Sequence, residues 1–108
     1  VRRLPVPDGD SLRLIDCTAI HYLEADDNYV HVHTPDRVYL LRRTLQDLLQ
    51  QLGEERFARI HKSTAVNVEQ VAALERMPKG DYEVRLKSGA RLRLSRRFAG
   101  NLLERAPR

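Results

Sequence analysis

Residues 82–94, YEVRLKSGARLRL, form the stretch that determines the fold of this chain most clearly. Apolar and charged residues alternate in its first five positions, 82–86, and again in its last four, 91–94. A period of two is typical of a β-strand with one buried face, and Gly89 favours a turn between two such strands. The stretch therefore predicts an antiparallel β-hairpin.

Weaker patterns of the same kind predict strands in other parts of the chain. The polar run Asp26-Asp27-Asn28 and the run Thr34-Pro35-Asp36-Arg37 are typical turns between strands. The further predicted strands are 11–15, 19–24, 29–34, 38–41 and 65–68. Strands dominate this pattern, so the fold class is predicted to be mainly β.

Two helical segments complete the predicted elements. Thr44 is suited to cap a helix whose leucines at 45, 48, 49 and 52 follow the helical repeat, and Gly53 is suited to end it. Ser95 is predicted to cap a short terminal helix with an apolar side formed by Phe98, Leu102 and Leu103. The helical share of the chain is therefore small.

Length and composition indicate one globular domain. The chain has 108 residues, of which 42% are hydrophobic and 31% charged. Pro5, Pro7 and Gly9 lead to the expectation that residues 1–10 are the remnant of an interdomain linker and that residues 11–108 are the domain. No apolar run approaches the roughly 20 residues of a membrane-spanning helix. Because the single cysteine, Cys17, cannot form an internal disulfide, a cytoplasmic location is expected.

The charge is distributed unevenly along the chain. Residues 1–58 contain 7 Lys/Arg and 10 Asp/Glu, a balance of −3, whereas residues 59–108 contain 12 and 5, a balance of +7. Together these give the net charge of +4. A basic half on a small domain favours a polyanionic partner such as nucleic acid.

Candidate catalytic and metal-binding groups are few. His31 and His33 share one strand face, but the sequence shows no third metal ligand beside them. Ser63 lies two residues from His61 without an adjacent acid to orient that histidine, and the pair Asp26-Asp27 is typical of a turn. We therefore expect no enzyme activity, no metal and no cofactor.

Three boundary residues suit the recognition of DNA bases. Lys62 and Arg97 can donate to guanine O6 and N7, and Asn28 can pair with adenine N6 and N7. Each lies where one predicted element meets the next, and binding residues concentrate in such loops. Residues suited to bind backbone phosphates surround them: Arg59, His61, Ser63, Arg93 and Arg96.

The order of these motifs resembles the LytTR DNA-binding domain over about 90 positions, from Ile20 to Leu103. The matching segments are IHYLEADDNYVHVHT (20–34), YLLRRTLQDLLQQL (39–52), RFARIHKSTAVNVEQVAALE (56–75) and GDYEVRLKSGARLRLSRRFAGNL (80–102). The most specific signal is F-x-R-I-H-K-S-x-x-V-N followed by S-R-R-F at 95–98, because it combines order, spacing and residue type.

This resemblance implies an elongated arrangement of short antiparallel β-sheets with one or two short helices, whose loops enter successive major grooves. It places the base contacts at Asn28, Lys62 and Arg97, and makes His61, Ser63, Asn67 and Arg96 phosphate contacts or loop supports. It also implies a homodimer on imperfect direct repeats of double-stranded DNA. The chain would then be the transcription-regulating output domain of a two-component response regulator whose N-terminal receiver-like domain is missing, with no membrane contact.

Two other classes of function remain open from the sequence. The first is a protein-interaction module whose basic face meets an acidic partner. The second is a metal-dependent enzyme that uses His31, His33 and Asp27. Binding that ignores DNA sequence would indicate the first, and a stoichiometric metal lost on replacing both histidines would indicate the second.

Overall fold

The computed structural model describes residues 2–104. Within that range ten strands form three antiparallel sheets, and the domain measures 47 × 26 × 22 Å. The strands are β1 Arg3–Asp8, β2 Ser11–Asp16, β3 Tyr22–Asp26, β4 Tyr29–His33, β5 Val38–Leu41, β6 Phe57–His61, β7 Thr64–Asn67, β8 Val71–Arg76, β9 Tyr82–Leu86 and β10 Arg91–Leu94. The helices are α1 Leu45–Leu52 and α2 Gly100–Leu103, with 3-10 turns at Cys17–Ala19, Val68–Gln70 and Arg96–Phe98. The elongated, mainly β fold is confirmed.

The central sheet has five strands in the order β5-β4-β3-β7-β6. Strand β3 pairs with β4 on one side and with β7 on the other, and the last pair before the β3–β4 turn is Asp26 with Tyr29. One face of β3 and β4 contributes Leu23, Val30 and Val32 to a first hydrophobic core. None of these three side chains is exposed to solvent, as the period of two in the sequence predicts.

Helix α1 closes the first core. The backbone N–H of Asp47 donates to Thr44 Oγ1 (3.1 Å), so the predicted cap is confirmed. Its apolar side buries Leu45, Leu48 and Leu52. Gly53 then ends the helix with a φ of 97°, a backbone conformation that favours glycine. Within residues 2–104 no helix combines the length and apolar character needed to cross a membrane.

The second core lies between the central sheet and the three-stranded sheet β10-β9-β8. Strands β6 and β7 contribute to both cores: Phe57 and Ala65 belong to the first, whereas Ile60 and Val66 belong to the second. Every residue of β7 is buried. Because both faces are covered, the β6–β7 hairpin is the element that joins the two halves of the domain.

The terminal segment differs in two respects from its predicted helix. Ser95 makes no side-chain capping hydrogen bond; instead its backbone N–H donates to Ile60 O (2.9 Å). The chain continues as a 3-10 turn before α2 begins. Because a 3-10 turn has fewer residues per turn than an α-helix, the later side chains point in other directions than a continuous α-helix would give them. As a result Leu102 is buried as predicted, but Leu103 is 42% exposed.

The first residues differ from the predicted linker. Residues 3–8 form β1, which pairs with β2 in a register that joins Leu4 to Ile15. Leu4 and Val6 are completely buried in the first core. The prolines at 5 and 7 suggested a linker, but a strand with a free edge tolerates residues that lack an N–H. The linker interpretation therefore missed a strand, whereas a connection to a further domain stays a prediction.

An ion pair fastens this hairpin to the rest of the domain. Arg37, in the turn before β5, lies 2.7 Å from Asp8 Oδ2 at the end of β1, and Arg13 lies 3.2 Å from the same oxygen. The hydrogen bond from Arg37 holds the pKa of Asp8 below its ordinary value. The guanidinium of Arg37 also stacks over the Tyr39 ring at 4.4 Å. These contacts connect β1 to the edge of the central sheet.

Candidate nucleic-acid interface

The first candidate loop is the two-residue turn between β3 and β4. Asp27 has a φ of 59°, in the left-handed region that aspartate tolerates better than most side chains. Asn28 follows it, and both residues are exposed. The side-chain amide of Asn28 is therefore available at the tip of a short, well-paired hairpin.

The second candidate loop is the turn between β6 and β7. The pairing shifts register between Arg59 and His61, so that the strand bulges immediately before the turn. His61 Nδ1 accepts a hydrogen bond from the Ser63 backbone N–H (3.2 Å) and lies 3.1 Å from Ser63 Oγ. Arg59 donates to the carbonyl oxygen of Lys62. The backbone of the turn is held from both sides, while the Lys62 side chain is exposed.

The third candidate loop is the 3-10 turn Arg96–Phe98. Two guanidinium groups lie near the Phe98 ring: that of Arg97 is 5.3 Å and that of Arg59 5.7 Å from its centroid. Cations at such distances are attracted to an aromatic face. Asn101, in α2, donates to the Arg59 carbonyl oxygen (3.0 Å). The exposed Arg97 is thus attached to β6 through Phe98 and Arg59.

The three loops lie along one end of the central sheet. Because β3 and β7 are antiparallel, the end of β3 lies beside the start of β7, with Glu24 opposite Thr64. The N–H of Ala25 donates to the carbonyl oxygen of Ser63 (2.7 Å), which brings the first two turns together. The third loop attaches to the neighbouring edge strand β6. The structure therefore brings the segments of Asn28, Lys62 and Arg97 to one side of the molecule.

Charge is not uniform along this row of loops. Asp26 and Asp27 accompany Asn28 in the first loop, whereas Arg59, Lys62 and Arg97 accumulate around the second and third. A polyanion is attracted to the second and third loops and repelled by the carboxylates of the first. The first loop is suited to a neutral contact through the Asn28 amide rather than to a phosphate contact.

Arg93 and Arg96 meet at one carboxylate. Asp81, in the turn before β9, lies 3.4 Å from Arg93 Nη2 and 3.4 Å from Arg96 Nε. Arg96 also donates to the Lys79 carbonyl oxygen (3.0 Å). Their side chains nevertheless remain 67% and 72% exposed. A guanidinium has five N–H donors, so each arginine keeps donors for a further acceptor.

Asn67 occupies a different environment from the other candidates. It is completely buried, and its Nδ2 donates to the Ile20 carbonyl oxygen (2.8 Å). Its side-chain oxygen accepts from the Glu69 N–H (3.0 Å) and begins the 3-10 turn Val68–Gln70. Of the two roles implied for Asn67, these contacts fit support of the chain and not a phosphate contact.

Sequence reasoning missed the contacts that position the third loop. The sequence places Phe98 on an apolar helix side and Arg59 among the phosphate contacts or loop supports, but it does not indicate that the two side chains meet, because 39 positions separate them. The sequence does show an aromatic residue directly after two arginines. That arrangement is common, and alone it does not indicate which other side chain the aromatic ring contacts. The contacts of Asp81 with Arg93 and Arg96 were missed for the same reason: the pairing depends on how β9 and β10 fold together.

Comparison with known proteins also indicates DNA binding. A family model described as the LytTr DNA-binding domain matches residues 10–106. The sensory transduction protein LytT of Bacillus subtilis (strain 168) is 29% identical over 100 residues, covering 93% of this chain and 42% of that protein. The positive alginate biosynthesis regulatory protein of Pseudomonas aeruginosa is 34% identical over 93 residues, covering 84% of this chain and 37% of that protein.

A solved structure shares the fold. The LytTr DNA-binding domain of a methyl-accepting/DNA response regulator from Bacillus cereus superposes with a TM-score of 0.84 at 23% identity, covering 95% of this chain and 97% of that one. The chain spans about two fifths of the length of the two curated relatives. The family match extends over most of the chain and agrees with this superposition. The chain therefore belongs to the family of LytTr DNA-binding domains.

Proposed function

We propose that this domain binds double-stranded DNA in a sequence-specific manner, through loops inserted in the major groove, and regulates transcription. The observation that carries the proposal is the chain of contacts from Lys62 through Arg59 and Phe98 to Arg97. It holds two exposed cationic side chains on a supported backbone at one end of the sheet. A fixed backbone sets where these side chains begin, and base recognition requires that in addition to simple attraction to a polyanion.

The exposed side chains of Arg97, Lys62 and Asn28 recognise different bases because their hydrogen-bonding groups differ. Arg97 and Lys62 donate to guanine O6 and N7, and Asn28 pairs with adenine N6 and N7. The major groove displays these groups in a pattern that distinguishes all four base pairs, whereas the minor groove does not. The neutral Asn28 amide suits the first loop, where Asp26 and Asp27 disfavour a phosphate.

Phosphate contacts come from the groups around these loops. Arg93 and Arg96 are exposed and retain donors beyond those used by Asp81. Arg59, His61 and Ser63 act chiefly as loop supports, because their side chains already bind within the second loop. Phosphate contacts set the register of the protein on the duplex and supply most of the salt-dependent affinity.

The proposal extends to the longer protein. The relatives carry names such as sensory transduction protein and regulatory protein, and this chain covers only part of each. We propose that it is the output domain of a response regulator with an N-terminal receiver-like domain. A homodimer on imperfect direct repeats, in the bacterial cytoplasm, completes the proposal.

Selection from a randomised duplex library tests the proposed recognition. The wild-type chain is expected to recover a repeated motif, and Arg97→Ala is expected to bind that motif about 1–3 kcal/mol more weakly and to relax preference at one position. Arg85→Ala is the matched control, because Arg85 is an exposed arginine that pairs with Glu75 on the second sheet. Its recovered motif should equal that of the wild type.

Two other results of this selection would contradict parts of the proposal. If Arg97→Ala weakened all sequences equally, Arg97 would be a phosphate contact rather than a base contact. If the wild type recovered sequences indistinguishable from the input library, specific binding would be wrong. The basic face would then fit an acidic protein partner better.

Arg96→Ala is expected to act differently from Arg97→Ala. Loss of one phosphate contact weakens binding to all sequences alike and makes the slope of log K against log salt shallower by about 0.9. Fluorescence anisotropy on the selected duplex and on a scrambled duplex, at several salt concentrations, measures both quantities. An unchanged slope together with relaxed base preference would assign Arg96 to a base instead.

A further inference from the structure

A cluster of metal-ligating side chains lies on the face of the central sheet that is opposite to the first core. Strands β3 and β4 direct Leu23 and Val32 into the first core, so the alternate residues point to the other face. Glu24 on β3 lies directly opposite His31 on β4, and His33 follows two residues later on the same face. Backbone pairing therefore holds all three side chains on one small area.

The distances within this cluster are compatible with one shared ion. Each residue offers one ligand atom, and these three atoms all lie within 4.8 Å of one another. Glu24 Oε1 and His33 Nε2 are 3.6 Å apart. Zinc bonds of about 2.0–2.1 Å place tetrahedral ligands about 3.3 Å from one another. Reaching that spacing requires rotation of the three side chains, of which Glu24 is exposed and His31 and His33 are half-buried.

His33 supplies an independent sign that a ligand is accommodated here. Among residues 2–104, its buried Nε2 has no partner within hydrogen-bond distance, and it forms only a loose ion pair with Glu24 Oε1 at 3.6 Å. The Tyr22 ring stacks on the imidazole at 3.9 Å and fixes its orientation. Buried polar atoms nearly always have a partner, and an ion bound between His33 and Glu24 would provide one for this nitrogen.

We propose that Glu24, His31 and His33 bind one zinc ion, with a fourth position open to water. Two imidazoles and a carboxylate suit zinc and disfavour magnesium, which prefers oxygen ligands. The sequence predicted no metal because the third ligand is not beside the histidines; it lies on the strand paired with them. The third ligand is Glu24 and not Asp27, which lies in the turn beyond the strands.

The position of the ion suggests what it does. A metal bound by residues of both strands links β3 to β4 across the hairpin that ends at Asn28. It adds a positive charge near Asp26, whose Oδ2 is 3.8 Å from His31 Nε2. The proposed ion therefore stabilises the hairpin and offsets its local negative charge. Zinc binding itself does not depend on the proposed function.

Calorimetric titration of the chelator-treated chain with zinc chloride tests the site. The wild type is expected to bind one ion per chain and to show no comparable binding of magnesium chloride. Glu24→Gln and His31→Asn are each expected to weaken zinc binding about tenfold or more, because each removes one of three protein ligands. His21→Asn removes a histidine outside the cluster and should change affinity less than twofold. Absence of saturable zinc binding, or an equal loss in His21→Asn, would overturn the proposal.

A second measurement needs no substitution and so does not depend on variants that fold. Cobalt(II) replaces zinc in many sites and absorbs strongly in the visible range when it is tetrahedral, but weakly when it is octahedral. The wild-type chain is expected to give the strong bands at one equivalent of cobalt, and zinc should remove them. A weak octahedral spectrum would contradict the proposed ligand set. Circular dichroism of each variant verifies that a loss of binding is not a loss of fold.

Discussion

Leu4→Ala is expected to lower the free energy of unfolding by about 2–5 kcal/mol. Leu4 is completely buried in the first core and pairs with Ile15 across the β1–β2 ladder. Truncation removes apolar contacts and leaves a cavity that a rigid, paired strand cannot fill by collapsing. Urea denaturation followed by circular dichroism measures the change. An effect of this size would establish that the first residues are part of the domain.

Leu12→Ala is the matched control for this prediction. It makes the same chemical change on the partner strand β2, but Leu12 is 63% exposed. The expected change is within about 0.5 kcal/mol, as for most surface substitutions. If both variants were equally stable, β1 would contribute little to the core, and residues 1–10 would behave as the linker that the sequence predicts.

Asn67→Ala is expected to lower the free energy of unfolding by about 2–4 kcal/mol. The substitution removes the donor to the buried Ile20 carbonyl oxygen and the acceptor for the Glu69 N–H. A buried polar group left without a partner costs about 1–3 kcal/mol, and the missing amide also leaves a small void. Urea denaturation measures this change as well.

The DNA affinity of Asn67→Ala separates the two roles implied by the family resemblance. At a temperature where the variant is folded, we expect its affinity for the selected duplex to stay within about twofold of the wild type, because a fully buried side chain cannot reach a phosphate. Asn101→Ala is the stability control, since Asn101 is exposed and loses one hydrogen bond, to Arg59. Normal stability with a large loss of DNA affinity would show that Asn67 is a direct contact.

Elements with a strong local signal were predicted well from the sequence. The β9–β10 hairpin and α1 each combine a regular apolar period with a suitable turn or cap, and both signals depend on neighbours in the sequence. Residue chemistry and the family resemblance indicate Asn28, Lys62 and Arg97 as base contacts, and the structure places their segments at one end of the sheet. Their contacts with DNA bases stay a prediction.

Features that depend on distant partners were not predicted. β1 is a strand because it pairs with β2 and buries its apolar side chains in the first core. Its two prolines favour a linker in the sequence, so the strand is not predicted locally. Phe98 contacts the Arg59 guanidinium only because the last segment of the chain packs on β6. Glu24 joins His31 and His33 only through the β3–β4 register. In each case the deciding contact is set by tertiary packing rather than by local sequence.

The two-sided burial of the β6–β7 hairpin has an evolutionary consequence. Its strands contribute buried side chains to both cores, so most substitutions within them disturb the packing of the whole domain. The Lys62 side chain at its tip belongs to neither core and is held only through its backbone. Replacement of that one side chain leaves the scaffold intact and changes the group that the proposed interface offers to DNA. Descendants of a duplicated gene could therefore acquire new target sites at this position without a loss of stability.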